Sequence, residues 1–247
     1  MEELIQLTID GVSVEVPAGT TVLEAAKKAG INIPTLCYQI GACRLCVVDT
    51  GARSLQAACV LPVTKGMVVK TNTPAIREAR KMNLELLLSN HDKHCLSCVR
   101  NQNCELQKLC LDLGVEDGDR FAGAMNKYDV DALSPSIVRN NNKCVLCRRC
   151  VAACGAVQGI GVIGPVYRGF NTAIESPWNM PLVDMACINC GQCIAACPTG
   201  ALHEKDSTKE VWDLLADPKI SHVKKCYSIF IYLTGARRNE ALDLTTE

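Results

Sequence analysis

Aromatic residues make up only 4% of this 247-residue chain. With so few large apolar anchors, one large conventional core is excluded, and several small modules are expected instead. A surplus of either charge is also missing, because 26 Lys and Arg balance 26 Asp and Glu. That balance supplies no basic field for nucleic acid or an anionic membrane surface. No apolar run approaches the length of a membrane span, the most apolar late stretch being Tyr227 to Leu233. The opening Met1-Glu-Glu-Leu-Ile-Gln has no basic region leading into an apolar one, which argues against a secretory leader. No Gly-rich dinucleotide fingerprint follows a strand pattern, so any flavin or NAD is expected on another chain.

Cysteine is what the chain has in abundance, with 17 residues. Thiols this dense, without a secretory signature, imply a reducing compartment, and a cytoplasmic location is expected. Small modules with little core of their own can be nucleated on metal centres. The chain is organised around Cys187-Ile-Asn-Cys190-Gly-Gln-Cys193-Ile-Ala-Ala-Cys197-Pro198. Three cysteines two residues apart, a fourth after three more, and a proline make up the bacterial ferredoxin run that holds [4Fe–4S] clusters. A second copy lies upstream as Cys144-Val-Leu-Cys147-Arg-Arg-Cys150-Val-Ala-Ala-Cys154. In two-cluster ferredoxins the fourth cysteine of each run serves the other cluster. The expected sets are therefore Cys144, Cys147, Cys150 and Cys197 for one cluster, and Cys154, Cys187, Cys190 and Cys193 for the other. Zinc fits poorly, since its sites pair two short hooks across a longer gap. A disulfide framework fits worse, because many of these thiols lie only two residues apart.

Ahead of these runs, residues 3–16 alternate apolar and polar around Asp10-Gly11, the pattern of a β-hairpin with a primed turn. Thr21-Val-Leu-Glu24 is a capping box opening a short helix, and Gly30 is its stop signal. Hairpin, helix and cysteine loop is the order of a β-grasp ferredoxin. The loop carries Cys37, Cys43 and Cys46, with Cys59 later, close to the plant-type [2Fe–2S] spacing except for five residues in the first gap. Gly41 lets the backbone pass close to such a cluster with its amides aimed at sulfur. Met67 to Thr71 fits a closing strand. Thr73-Pro74 opens a helix running to Leu88, with apolar positions at Ile76, Met82, Leu84, Leu87 and Leu88.

That helix delivers His91, Cys95, Cys98 and Cys104, a complete four-ligand set. Spacing alone does not separate zinc from a histidine-ligated cluster. His94 is the rival ligand, but beside Cys95 it fits a solvated loop position better. A short helix is expected over Leu106 to Leu113, ended by Gly114, and then a surface linker through residue 140. Residues 155–186 are an insertion between the two runs, with a small hairpin suggested by Val162-Ile163 and Val166-Tyr167. Residues 208–215 suggest a last helix. The ligand sets use 15 cysteines and His91. Cys110 and Cys226 are left over, the first as a core thiol and the second as a free one.

Gly41-Ala-Cys-Arg-Leu-Cys46, Ser54-Leu-Gln-Ala-Ala-Cys59, Leu87-Leu-Ser-Asn-His91, Asn103-Cys-Glu-Leu-Gln107 and Ser134-Pro-Ser-Ile-Val138 together resemble the N-terminal half of multi-cluster [FeFe]-hydrogenases. They are also similar to the matching region of the large iron–sulfur subunit of NADH dehydrogenases. The resemblance covers about residues 1–218. Asn189, Gly191, Gln192 and Thr199-Gly-Ala-Leu202 lean toward the hydrogenase branch. The Cys37–Cys43 loop is shorter than the family's, and neither the active-site cysteine motifs of a hydrogenase catalytic domain nor a molybdopterin-type domain is present.

The resemblance implies a [4Fe–4S] cluster at His91, Cys95, Cys98 and Cys104, for a total of one [2Fe–2S] and three [4Fe–4S] clusters. It implies an α+β chain. Residues 1–75 would form a β-grasp [2Fe–2S] domain and 76–115 the histidine-plus-three-cysteine segment. Residues 116–140 would be the linker, 141–206 a two-[4Fe–4S] ferredoxin domain, and 207–247 a C-terminal helix and tail. The function it implies is an electron-transfer subunit without a catalytic site of its own, in a hydrogenase-type, electron-bifurcating complex of an anaerobe. Its partners would be a flavin- and NADH-binding iron–sulfur subunit, a small [2Fe–2S] subunit, a separate hydrogenase or other catalytic subunit, and ferredoxin. The competing readings are a truncated or split [FeFe]-hydrogenase or NADH dehydrogenase subunit, and a cluster-stabilised scaffold or redox sensor.

Overall fold

The computed structural model describes residues 4–116, 118–219, 221 and 226. The apolar stretch from Tyr227 to Leu233 and the charged tail lie outside them. The chain divides into two units, residues 1–204 and 205–247.

The first unit opens with strands β1 (Leu4–Ile9) and β2 (Val12–Pro17), paired antiparallel with Ile9 opposite Val12. Asp10 and Gly11 both take positive φ, 49° and 86°, as a two-residue primed turn requires. Helix α1 (Val22–Lys28) starts on the expected capping box, with the Thr21 hydroxyl accepting from the Glu24 amide and Glu24 accepting from the Thr21 amide. Gly30 ends it at φ 75°. Val22, Leu23, Ala25 and Ala26 pack on Leu7, Ile9 and Val16, the inward face of the hairpin.

Two short strands, β3 (Val47–Val48) and β4 (Gln56–Ala57), pair antiparallel and seat Cys46 and Cys59 in this same core. The expected closing strand is β5 (Val68–Val69), parallel to β1, giving a sheet in the order β2-β1-β5. The Thr71 amide and hydroxyl both donate to Asp10, so the hairpin turn is tied to the end of β5.

Helix α2 (Pro74–Leu88) begins where Thr73 accepts from the Ile76 amide. Its inward face carries Ile76, Arg80, Leu84, Glu85 and Leu88. Met82, expected among the apolar positions, is instead 38% exposed. Two charged residues take inward positions because each finds a partner. Arg80 donates to the Val47 carbonyl at 2.9 Å, and Glu85 accepts from Arg120 at 3.0 Å. Helix α3 (Glu105–Asp112) ends at Gly114, as expected. Leu84, Leu88 and Leu106 meet Leu36 and Leu45 in a second core.

The stretch expected to be linker contains strand β6 (Ile137–Arg139), fully buried and paired antiparallel with β9 (Leu202–Glu204). Three residues between polar flanks are too few to register as a period, so only the pairing with β9 reveals the strand. Short helices α4 (Arg149–Ala152) and α5 (Gln192–Ala196) lie within the two cysteine runs and carry the third cysteine of each. The insertion does form a hairpin, but its strands are β7 (Gly164–Val166) and β8 (Ala173–Glu175). Val162 and Ile163 lie instead in the third core, with Ile137, Ile174, Leu182, Ile194 and Leu202. Tyr167 turns left-handed at φ 58°, and the chain reverses only after Gly169, which moves the second strand downstream.

In the second unit, helix α6 (Thr208–Ala216) forms where expected. Among the described residues no helix is long and apolar enough to cross a membrane.

Candidate metal centres

All 17 cysteines are free thiols, so no disulfide framework exists. Left-handed backbone marks their tight loops. Arg44, Leu146, Arg148, Asn189 and Gly191 each sit at positive φ between two cysteines three apart. Positive φ is costly for residues other than glycine and persists only where the surroundings demand it. Here each such residue folds a short loop back on itself, which lets successive sulfurs face inward.

Cys37, Cys43, Cys46 and Cys59 are all buried, at 1–8% exposure, in the loops between α1 and β5. Their thiols meet in two pairs. Cys43 donates to the Cys37 sulfur, which lowers the Cys37 thiol to about 4 with help from the amides of Cys43, Ile40 and Ala42. The same contact, together with burial, raises Cys43. Burial pushes Cys59 up to about 11, and adjacent Cys46 adds to it, while the Gly41 amide opposes both. Gly41 has φ 68°, and a Cβ there would only touch Val60 at 3.5 Å, so backbone conformation rather than space demands glycine.

His91, Cys95, Cys98 and Cys104 line one cavity of about 650 Å³. His91 follows directly on α2 and is 6% exposed, and its Nδ1 is buried without a hydrogen-bond partner. Burial, then Lys143, lowers its pKa to about 4, so the ring is neutral at pH 7 and has a lone pair to offer. Asp92 is lowered too, which keeps it charged. Burial raises it, but bonds from Lys143 at 2.9 Å and from His94 outweigh that and hold it below the usual carboxylate range. His94 points away from the cavity, its ring 87% exposed against Asp92.

The two ferredoxin-type runs interchange their last cysteines. One apolar cavity is lined by Cys144, Cys147, Cys150 and Cys197, and its neighbour by Cys154, Cys187, Cys190 and Cys193. Burial raises Cys144 to about 12 and Cys147 and Cys193 to about 11, with neighbouring sulfurs adding to each. Four thiolates cannot share such a site unless something positive joins them. Among the described residues no three His, Cys, Asp or Glu side chains converge on a point as one metal ion requires. The donors surround spaces, and all of them are soft sulfurs or imidazole, which suits iron–sulfur clusters.

Short links join the sites. The Tyr38 amide donates to the Cys147 carbonyl at 2.9 Å, linking the first cysteine loop to the first run. The Glu105 amide donates to the Pro198 carbonyl at 3.1 Å, and the Thr199 hydroxyl to the Lys143 carbonyl at 2.8 Å. Several residues at the sites take roles that the sequence did not assign to them. A Cβ on Gly200 would lie 2.7 Å from the Cys98 sulfur, so only glycine leaves room there. Arg139 and Asn141 line the Cys144 cavity and grip Glu175 at 3.2 and 2.7 Å. Cys110, expected to be a core thiol, lines the His91 cavity.

Three family models match the chain. Residues 2–74 match a 2Fe-2S iron-sulfur cluster binding domain, and residues 80–119 the NADH-ubiquinone oxidoreductase-G iron-sulfur binding region. Residues 143–201 match a 4Fe-4S dicluster domain. Similar curated proteins include the NADP-reducing hydrogenase subunit HndD of Solidesulfovibrio fructosivorans, 45% identical over 87% of this chain and 38% of its own length. The NADH-ubiquinone oxidoreductase 75 kDa subunit of Reclinomonas americana is 33% identical over 88% of this chain and 32% of its own length. The chain thus spans well under half the length of these relatives. A solved chain of an NAD+-reducing [NiFe]-hydrogenase in the H2-reduced state superposes with TM-score 0.77. It is 31% identical, over 82% of this chain and 88% of that one.

Proposed function

We propose an electron-relay role for this chain, which belongs to the family of iron–sulfur subunits shared by NADH-ubiquinone oxidoreductases and NAD(P)-linked hydrogenases. In this reading Cys37, Cys43, Cys46 and Cys59 hold a [2Fe–2S] cluster within a β-grasp domain of residues 1–75. His91, Cys95, Cys98 and Cys104 hold a [4Fe–4S] cluster in the segment 76–115, with 116–140 as connection. Cys144, Cys147, Cys150 and Cys197 hold a second, and Cys154, Cys187, Cys190 and Cys193 a third, in a two-cluster domain of residues 141–206. Such clusters, when bound, supply one-electron transfer. The chain itself holds the thiolates, buries all four of the first set, and links the sites through the Tyr38–Cys147 and Glu105–Pro198 bonds.

The observation that carries this reading is the interchange of Cys154 and Cys197 between the two run-lined cavities. A single-ion site gives no reason for it, whereas a two-cluster ferredoxin requires it. The partners proposed are a flavin- and NADH-binding iron–sulfur subunit, a small [2Fe–2S] subunit, a separate hydrogenase or other catalytic subunit, and ferredoxin. A cytoplasmic setting and electron bifurcation in an anaerobe belong to the same proposal.

Anaerobic iron and acid-labile sulfide analysis tests it, with partners identified by co-purification. About fourteen irons per chain, as one two-iron and three four-iron centres require, with a flavoprotein alongside, supports the relay. Zinc in place of iron, or clusters without a redox partner, refutes it. Hydrogen turnover by the chain alone would make it an enzyme and refute a pure relay.

A further inference from the structure

The His91 cavity is lined by five soft donors, one more than the four corners of a cluster. The fifth is Cys110, a half-buried residue on the helix that starts at Cys104. It shares that wall with Cys95, Cys98 and Cys104. The cavity also has an independent mark of a ligand site in the His91 Nδ1, which is buried without a partner. Core packing accounts for part of Cys110, which also touches the second apolar core. It does not account for a thiol on the wall of a cavity that already holds a full ligand set.

We propose that Cys110 is a reserve ligand for the cluster in this cavity, taking the corner of Cys104 when that sulfur is lost. The choice of corner follows from the geometry. Cys104 caps the start of helix α3 and Cys110 lies on that helix, so one element carries both sulfurs and Cys104 is the corner taken over. In the exchange an iron–sulfur bond to Cys110 Sγ forms where the bond to Cys104 Sγ is missing. The Cys110 thiol proton leaves to water through the open side of the cavity, and no electron is gained or lost. A site so equipped keeps its metal when one thiolate is oxidised or modified.

The inference rests on the reading of this cavity as a [4Fe–4S] site, and the iron content of the unsubstituted chain tests that reading separately. About ten irons per chain rather than about fourteen would refute the reading itself. With that count established, Cys104→Ala in the full chain is expected to retain its iron and the low-temperature EPR signal of this centre in shifted form. Cys104→Ala/Cys110→Ala is expected to lose about four irons and the signal. Cys104→Ala that loses the cluster while still folded overturns the proposal, as does a double variant that keeps it. Should Cys104→Ala fail to fold, Cys110→Ala alone decides by the rate of iron release to a chelator. Release several-fold faster than from the unsubstituted chain supports the reserve role, and an equal rate overturns it.

Discussion

A methyl group added at Gly200 is expected to empty one metal centre and leave the others intact. The Cβ of Gly200→Ala would lie 2.7 Å from the Cys98 sulfur and 3.5 Å from both Lys143 Cδ and Val99 Cγ2. The last two are ordinary contacts, so the sulfur is the one group that must move. Gly200 is not among the glycines at positive φ, so alanine adds no backbone strain and the effect is purely steric. Restoring a normal contact of about 3.5 Å requires the sulfur to retreat by about 0.8 Å. Metal ligands tolerate deviations of only about 0.2 Å. Cys98 therefore cannot both keep its place beside residue 200 and bind iron as proposed. The iron content of the purified chain is expected to fall from about fourteen to about ten per chain. The far-ultraviolet circular dichroism should stay unchanged, because each of the other three centres sits among its own donors. Full iron content with an unaltered EPR spectrum would refute the reasoning, since it would mean that Cys98 is free to move or does not bind metal.

The charges gathered at Arg139 give a prediction with two opposite signs. The Glu175 charge reaches Cys144, so Glu175→Gln is expected to raise the reduction potential of the cluster held there by on the order of tens of millivolts. Arg139→Met strands Asp131 and Glu175 and should lower it, both shifts being read by EPR redox titration. Arg120→Ala leaves the buried Glu85 carboxylate without the guanidinium 3.0 Å away and is expected to destabilise the chain by about 1–3 kcal/mol in chemical denaturation. Arg120→Lys should recover part of that. In the cluster-free chain His91 has its folded pKa depressed from 6.5 to about 4, so its contribution is complete above pH 6.5 and declines as pH falls toward 4. The loss amounts to about 3 kcal/mol over that window. It should appear in thermal unfolding of the cluster-free chain at pH 7 and pH 5, and a cluster-free chain equally stable at both would contradict it.

Much of this protein is local, and local features can be read in a sequence. Asp10-Gly11, the Thr21–Glu24 capping box, Thr73-Pro74, and the stops at Gly30 and Gly114 all act within a few residues, and each formed where its pattern stood. The cysteine spacings are local in the same way, because a loop of two or three residues has few ways to present two sulfurs. What depended on distant partners could not be read. Strand β6 exists because β9 pairs with it from far downstream, starting with Ile137 against Glu204 and ending with Arg139 against Leu202. Arg80 and Glu85 face inward only because Val47 and Arg120 are there to receive them. Leu146 and Arg148 adopt positive φ against their own preference, which no composition rule would assign to leucine or arginine. Gly200 stood in a family motif and Cys110 read as a core thiol, but only the fold set them against Cys98 and into the His91 cavity. The identity of the candidate ligand residues and the turn of each loop were thus written in short stretches of chain. Which sites adjoin, and which other side chains line them, emerged only on folding, because contacts between distant segments are set by packing and leave no periodic trace in the chain.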